Sequence, residues 1–322
     1  MTADMLRIPF QTEDFPAGTV SNGASELSVT WDDILWAAVT VGRPNRHYVF
    51  RHGDASTYEA VFRWSMVRMA LEQSSSWAYR LRRTNAAKTL DPTEKGAVNY
   101  FLGMTLCKLF ASKLLNTPWL LHLDVFRPAL NAILTRRSRP DLVGKENNTN
   151  RWHAFECKGR LSPPDVRVRR KAKDQAMQIV SVSGSSCCLH IAAITHFRSD
   201  TLQFYWSDPP PTERNPVEVP AQPGAWRHYY SPLVHVITDA NQAGVFLKDV
   251  NTFVAIRGLD LEVSIHPTVA RLLFRGEWDA AKRAAEEAAA EFAEARYHPD
   301  GLLIKAGETW HQRFEDVSQI EG

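Results

Sequence analysis

The chain has 322 residues, of which 44% are hydrophobic and 23% charged, and its formal net charge is +2. These proportions suit an ordinary soluble globular protein of two domains or one enlarged core, and so small a net charge does not by itself announce a nucleic-acid partner. No stretch reaches the roughly 18 apolar residues of a membrane span, MTADMLRIPFQTEDF has no secretory apolar region, and four cysteines without a C-x-x-C pair exclude a disulfide framework or structural zinc. A cytoplasmic protein is therefore expected.

Residues 1 to about 53 read as mixed, with a strand near His47–Phe50 and an amphipathic segment near Trp31–Val39. Ser56 and Glu59 have capping-box spacing, and Tyr58, Phe62, Met66, Met69, Gln73 and Trp77 then recur at helical steps. A second helix starts at Asp91, with Pro92 at its first position and Glu94 at its third. Val98, Phe101, Leu102, Leu106, Leu109, Phe110 and Leu114 form its buried stripe, and Asn116-Thr117-Pro118 ends it.

A short apolar strand is expected over 119–125. Residues 139–144 (RPDLVG) and 151–159 (RWHAFECKG) read as two further strands around the polar turn 145–150. A basic helix follows from Asp165 to about Val182, then strands over 188–197 and 202–206. The proline-rich stretch 207–224 marks a boundary or long surface loop. Beyond it lie apolar segments at 233–237 and 253–256 and an alanine- and glutamate-rich helix over 278–296. That helix is either a solvated surface helix or a self-association face.

The two strands around 145–150 carry the chemistry. In a hairpin centred between Asn148 and Thr149, Asp141 lies opposite Glu156. Alternation then puts Glu156 and Lys158 on one face while Phe155 and Cys157 enter a core. Two carboxylates with water and a phosphate oxygen are what magnesium prefers to coordinate. Such an ion polarises the phosphate and acidifies water, while the lysine positions that water or stabilises developing charge. The bland alternative is a surface hairpin whose Glu156 and Lys158 form an ordinary ion pair.

Pro140-Asp141 and Glu156-Cys157-Lys158 resemble the PD-(D/E)xK nuclease superfamily, which has the restriction-endonuclease-like fold. The likeness covers roughly residues 91–207. It implies an α/β core of helix, three-stranded antiparallel meander, helix and strand, with an extension over 1–90 and a further region over 208–322. It also implies a Mg2+-dependent endodeoxyribonuclease, with Mn2+ able to substitute, and Asp141, Glu156 and Lys158 catalytic. Asp141, Glu156 and the Cys157 backbone carbonyl would hold the metal. Glu94 is either an additional ligand or only a cap. Gln175 or Gln178 would be the auxiliary glutamine, although their spacing departs from the exonuclease-like subgroup.

Arg136, Arg137 and Arg139 precede Asp141, and Arg160, Arg167, Arg169, Arg170, Lys171 and Lys173 follow Lys158. Both clusters flank the carboxylates, where phosphates would lie, so DNA-backbone neutralisation is their expected role. Trp152 and His153 either stack on bases or pack in the core. The chain has no G-x-x-x-x-G-K-[ST], G-x-S-x-G or H-E-x-x-H, which argues against a translocase, a serine hydrolase or a zinc protease. The rival readings are an inactive nucleic-acid-binding protein of the same fold and a scaffold subunit that docks a motor protein or a second copy. Defence against foreign DNA is the setting that the resemblance suggests.

Overall fold

The computed structural model describes residues 5–41, 54–77, 79–123, 139–147, 149, 151–179, 181–182, 185–208, 218–219, 254–288, 290–291 and 296–314. The strand expected at His47–Phe50, the apolar segment at 233–237, most of the proline-rich stretch, and Arg136 and Arg137 lie outside these residues.

The chain opens with strands β1 (Leu6–Glu13) and β2 (Gly23–Val29), which pair antiparallel. The sequence pattern predicts no strand here. Helix α1 (Trp31–Thr40) follows, with Thr30 and Asp33 forming a reciprocal capping box at its start. Helix α2 (Asp54–Ala70) corrects two expectations. Ser56 falls inside the helix rather than at its cap, and the stripe headed by Tyr58 and Phe62 is the outer face, with those rings 71% and 60% exposed. Ala60, Trp64 and Val67 face inward instead. The reason lies at the end of α1, where the Arg63 guanidinium donates to the carbonyls of Ala38 and Val41 and Trp64 Nε1 donates to that of Leu35. Satisfying those carbonyls fixes which side of α2 turns inward.

The helical spacing that runs on to Trp77 is overridden. Residues Leu71–Gln73 form β3, which pairs with β4 (Leu81–Arg83), and Trp77 is exposed. After the short α3 (Asn85–Thr89) comes α4 (Pro92–Leu115), with Asp91 and Glu94 closing a capping box at its start. Asn116, in left-handed geometry, terminates it as expected.

Next come β5 (Trp119–His122), β6 (Leu142–Lys145) and β7 (Trp152–Gly159), each antiparallel to the next. Trp119 Nε1 donates to Asn147 Oδ1 at 2.6 Å, and Asn147 N–H donates to the Asn116 carbonyl at 2.8 Å, so the turn between β6 and β7 is anchored to the helix end. Helix α5 (Val166–Ala176) begins at the Asp165 cap and stops short of the expected Val182, because β8 (Ser181–Val182) takes the following residues. β9 (Ser185–Arg198) and β10 (Thr201–Ser207) form a hairpin, and β11 (Glu218–Val219) pairs with β8. The C-terminal part supplies β12 (Val254–Ile256), β13 (Leu261–Ile265), α6 (Pro267–Phe274), α7 (Trp278–Glu287) and β14 (Leu302–Ala306). The helix expected over 278–296 is interrupted at Ala288, which leaves helical geometry, and Ala290 and Glu291 are helical again.

The result is a mixed α/β protein with seven α-helices among the described residues. The main sheet runs β2-β1-β10-β9-β7-β6-β5, with β1 parallel to β10 and β7 parallel to β9, and a separate sheet runs β12-β13-β14. One hydrophobic core extends from Leu6 to Trp310 and includes Phe155 and Cys157 of β7 with Phe101, Leu106 and Cys107 of α4. On the opposite sheet face, Ala172 of α5 packs on Ala192, Ile194 and Tyr205. The sheet is thus sandwiched between α4 and α5, which is why Trp152 to Cys157 of β7 are buried on both faces.

Helix α4 crosses β7 at minimal separation. A Cβ on Gly159 would sit 1.6 Å from the Asn99 carbonyl oxygen, and one on Gly103 would sit 2.9 Å from the Lys158 carbonyl carbon. These two glycines set the height of the helix over the strand that bears the candidate site.

Candidate functional site

The register across β6 and β7 pairs Leu142 with Phe155 and Val143 with Ala154, so Asp141 continues the ladder opposite Glu156 as the hairpin reading requires. Glu156 and Lys158 share their face with their β9 partners Ala192 and Ile194, on the α5 side. Phe155 and Cys157 point to the α4 side, where burial and the neighbouring Cys107 raise the Cys157 thiol well above its usual range. Cys157 is therefore a core residue rather than a reactive thiol.

β6 ends before β7 does, and Asp141 fills the gap. Its Oδ2 accepts from the Cys157 N–H at 2.9 Å, and its own carbonyl accepts from Leu123 N–H of the chain leaving β5. In a strand, the N–H and C=O of one residue point the same way. The Cys157 carbonyl is therefore turned toward the same gap. This places one backbone oxygen beside two carboxylates.

The electrostatics are adverse without a cation. Burial raises the Asp141 carboxyl, opposed by the Cys157 N–H and by the positive charges of Lys158 and His122. Glu156 is 1% exposed, and burial followed by repulsion from Asp141 pushes it up to about 8. Lys158 bonds Glu156 Oε1, but Glu156 Oε2 is buried without a partner among the described residues. An orphaned buried carboxylate oxygen facing a second carboxylate is a fitting place for a hard divalent cation. The donor set is two carboxylates and a carbonyl; among the described residues no group of three or more His, Cys, Asp or Glu side chains gathers to hold a metal.

Two neighbours escaped the sequence reading. His122, at the end of β5, pairs with Leu142 and so lies next to Asp141, and its Nε2 is 3.2 Å from the Tyr100 hydroxyl of α4. Extending the meander register to β5 would have found His122. Nothing in the sequence pointed to Tyr100, which depends on where α4 crosses.

The remaining candidates separate. Glu94 is exposed at the start of α4, and its carboxylate accepts from the Asp91 N–H at 3.2 Å, which is the capping alternative. Trp152 and His153 are both buried, so neither is available to stack on bases. Arg139 is half-buried, and Arg160, also half-buried, ties its N–H to the Thr195 carbonyl.

The basic helix divides into two flanks. On the flank toward β1 and β10, Arg169 pairs with Glu13 at 2.9 Å beside Tyr205, Arg170 lines the same groove, and Lys173 is buried against Asp208 and the His190 carbonyl. Lys173 is thereby withdrawn from the expected phosphate contacts. The four-residue steps from Arg167 to Lys171 to Gln175 put these three on the other flank, toward β7. Arg167 and Lys171 are exposed there, whereas Gln175 Oε1 is buried without a partner among the described residues. Gln178 bonds back to the Asp174 carbonyl of its own helix.

Among the described residues no helix is long and apolar enough to cross a membrane. Fold and site together define a mixed α/β protein with a recessed two-carboxylate, one-lysine cluster inside the sheet, beside β7 where β6 begins. Comparison with protein-family models, curated proteins and solved structures gave no match.

Proposed function

We propose that the chain is a divalent-metal-dependent nuclease with a restriction-endonuclease-like core, acting most naturally on DNA. The observation that carries this reading is the convergence of Asp141, the buried and half-orphaned Glu156, and Lys158 at the gap where β6 begins beside β7. The order of α4, the β5-β6-β7 meander, α5 and a β9 strand parallel to β7 supports the core proposed from the sequence.

Asp141 and Glu156, with the Cys157 carbonyl, would hold Mg2+ or Mn2+. Such an ion neutralises a phosphodiester and acidifies water. The chain's own residues do the rest. Burial removes competing water from Glu156 and strengthens its interactions. Asp141 is held through Oδ2 by the Cys157 N–H. Lys158 is one-third exposed and carries its charge from Glu156 toward solvent, where it can steady a phosphate oxygen or a water. Arg167 and Lys171 stand on the adjacent flank of α5 to receive the flanking backbone phosphates.

The test incubates the intact protein with supercoiled plasmid, linear duplex and single strands, in Mg2+, Mn2+ or EDTA, beside Lys158→Ala and Asp141→Asn. Metal-dependent cleavage lost in both variants is the expected result. DNA binding without cleavage under every metal would transfer the reading to a non-catalytic binding protein, and neither binding nor cleavage would overturn it.

A further inference from the structure

The sheet face that bears Glu156 and Lys158 continues past the candidate site toward β1. Residues opposite each other on paired strands share a face, and side chains alternate along each strand. Lys158 pairs with Ile194, Ile194 with Tyr205, and Tyr205 with Gln11. Arg198 pairs with Thr201, and Thr201 with Arg82. Alternation from these partners puts Arg198, Arg82, Arg80 and Arg7 on the face of Lys158. On that face α5 packs at Ala192, Ile194 and Tyr205. Past them lie the exposed Arg198 and the half-buried Thr201 and Gln203. Lys158 and Arg7 are separated by three strand spacings of about 4.8 Å and four residue rises of about 3.3 Å, roughly 20 Å in all.

An aromatic pair stands at the far end. Trp77, on the turn between β3 and β4, is 59% exposed and meets the Tyr79 ring at 74°, with centroids 5.9 Å apart. Arg7 and Arg80 lie over Tyr79 at 5.5 and 5.3 Å from its centroid. The Arg7 N–H also donates to the Tyr79 carbonyl, and the Arg80 N–H to that of Trp77 at 2.7 Å. Backbone bonds and guanidinium groups therefore hold in place an indole that solvent can reach. One exposed ring needs no explanation by itself. This one is fixed among arginines, on a basic face that begins at Lys158.

The charges do not cancel along the way. Glu26 answers Arg7 and Arg80 together, and Glu72 answers Arg82 at 2.8 Å. Arg198 and the half-buried Arg160 stand between these pairs and Lys158. Among these residues cations outnumber carboxylates. A positive surface that ends on an accessible aromatic ring suits a phosphate backbone with bases free to stack. An intact duplex keeps its base faces inside the stack and offers only their edges.

We propose that this face is a track for a single strand of nucleic acid, running from the gap at Lys158 past Arg198 to Arg7, with an unpaired base stacked on Trp77. It rests on the nuclease reading for what happens at Lys158 and gives that reading a substrate class: unpaired strands, or duplexes with an unpaired end.

The test is fluorescence anisotropy of labelled oligothymidylate with the intact chain in EDTA, where no strand is cut, against a blunt duplex as competitor. The single strand should bind more tightly than the duplex. Trp77→Leu should weaken it at least fivefold, whereas Trp77→Phe, which keeps a stacking ring, should retain most of the affinity. Arg198→Gln and Arg7→Gln should each lower the slope of log affinity against log salt by about 0.7. Trp77 and Arg198 are exposed, so unchanged melting temperatures in their variants separate lost binding from lost folding. Duplex bound as tightly as the single strand overturns the proposal, as does Trp77→Leu binding like Trp77→Phe. A salt slope that Arg198→Gln leaves unchanged overturns the path. Cleavage in Mg2+ decides the nuclease reading separately, so its failure cannot mimic any of these results.

Discussion

The seating of α4 on β7 can be measured with three glycines. Replacing Gly159 by alanine puts a Cβ 1.6 Å from the Asn99 carbonyl oxygen and 2.1 Å from its carbonyl carbon, where ordinary contact begins at 3.4 Å. Both obstacles are backbone, so no side chain can swing away. The helix must retreat by roughly 1.5 Å, and a gap of even half that forfeits a quarter or more of the attraction across the interface. Because α4 buries Phe101, Leu102, Leu106, Leu109 and Phe110, the cost should be on the order of 4 kcal/mol. Gly103→Ala meets backbone at 2.9 Å, a milder overlap. It also gains about 1 kcal/mol of helix propensity, so a net loss of about 1–2 kcal/mol is expected. Gly96→Ala, exposed on the same helix with nothing within 4 Å, should instead stabilise by about 0.5–1 kcal/mol. Urea unfolding monitored by tryptophan fluorescence ranks the three. If Gly159→Ala costs no more than Gly103→Ala, α4 does not rest on β7 as described, and the position of Tyr100 beside His122 goes with it.

Other outcomes follow from the charges. Lys173→Ala takes the ammonium from the half-buried Asp208, which keeps the His190 N–H, and should destabilise by about 1–3 kcal/mol. Arg167→Ala and Lys171→Ala should leave stability within about 0.5 kcal/mol and lower the salt dependence of DNA binding by about one phosphate each; equal stability losses in all three would refute the division of α5 into two flanks. His298, stacked on Trp36 and 3.8 Å from Asp33, is held down to about 4 by burial, against an ordinary value of 6.5. Its folded form therefore binds fewer protons than its unfolded form between those values. Stability should fall as pH drops from 6.5 toward 4, by up to about 3 kcal/mol from the 2.5-unit difference. His298→Phe should flatten that slope in denaturation curves taken at pH 7 and pH 4.5, and an unchanged slope would place the acid sensitivity elsewhere.

The pairing of Asp141 with Glu156 is legible in the sequence because it is local. Asp141 and Glu156 flank one turn, and the hairpin centre alone fixes their pairing, which β6 and β7 reproduce. α4 was equally plain, since Asp91, Pro92 and Glu94 mark its start and its apolar steps are regular. Failures came where tertiary partners overrode spacing. Tyr58 and Phe62 repeat like a buried stripe, but Arg63 and Trp64 are claimed by the end of α1. Leu6, Ile8 and Phe10 alternate as a strand should, yet Pro9 interrupts them, and proline inside a run argues against a paired strand. Pro9 is tolerated because pairing with β10 begins only at Phe10. The division of the basic helix was illegible for the same reason: Glu13 and Asp208, which claim Arg169 and Lys173, are far away in sequence.

The parallel pairing of β1 with β10 bears on how the protein is made. Phe10 is joined to Phe204, so apart from the bond of Arg7 N–H to the Tyr79 carbonyl the β10 side of β1 waits for a strand made roughly 190 residues later. At about 5–20 residues per second that is a wait of roughly 10–40 s. Meanwhile β2 covers the opposite edge of β1 and leaves the β10 side open. The β6-β7 hairpin and its carboxylates form from adjacent chain, so the candidate site is assembled before the sheet beside it is complete. Slow steps and aggregation in refolding should therefore arise at β1, a strand that takes no part in the chemistry.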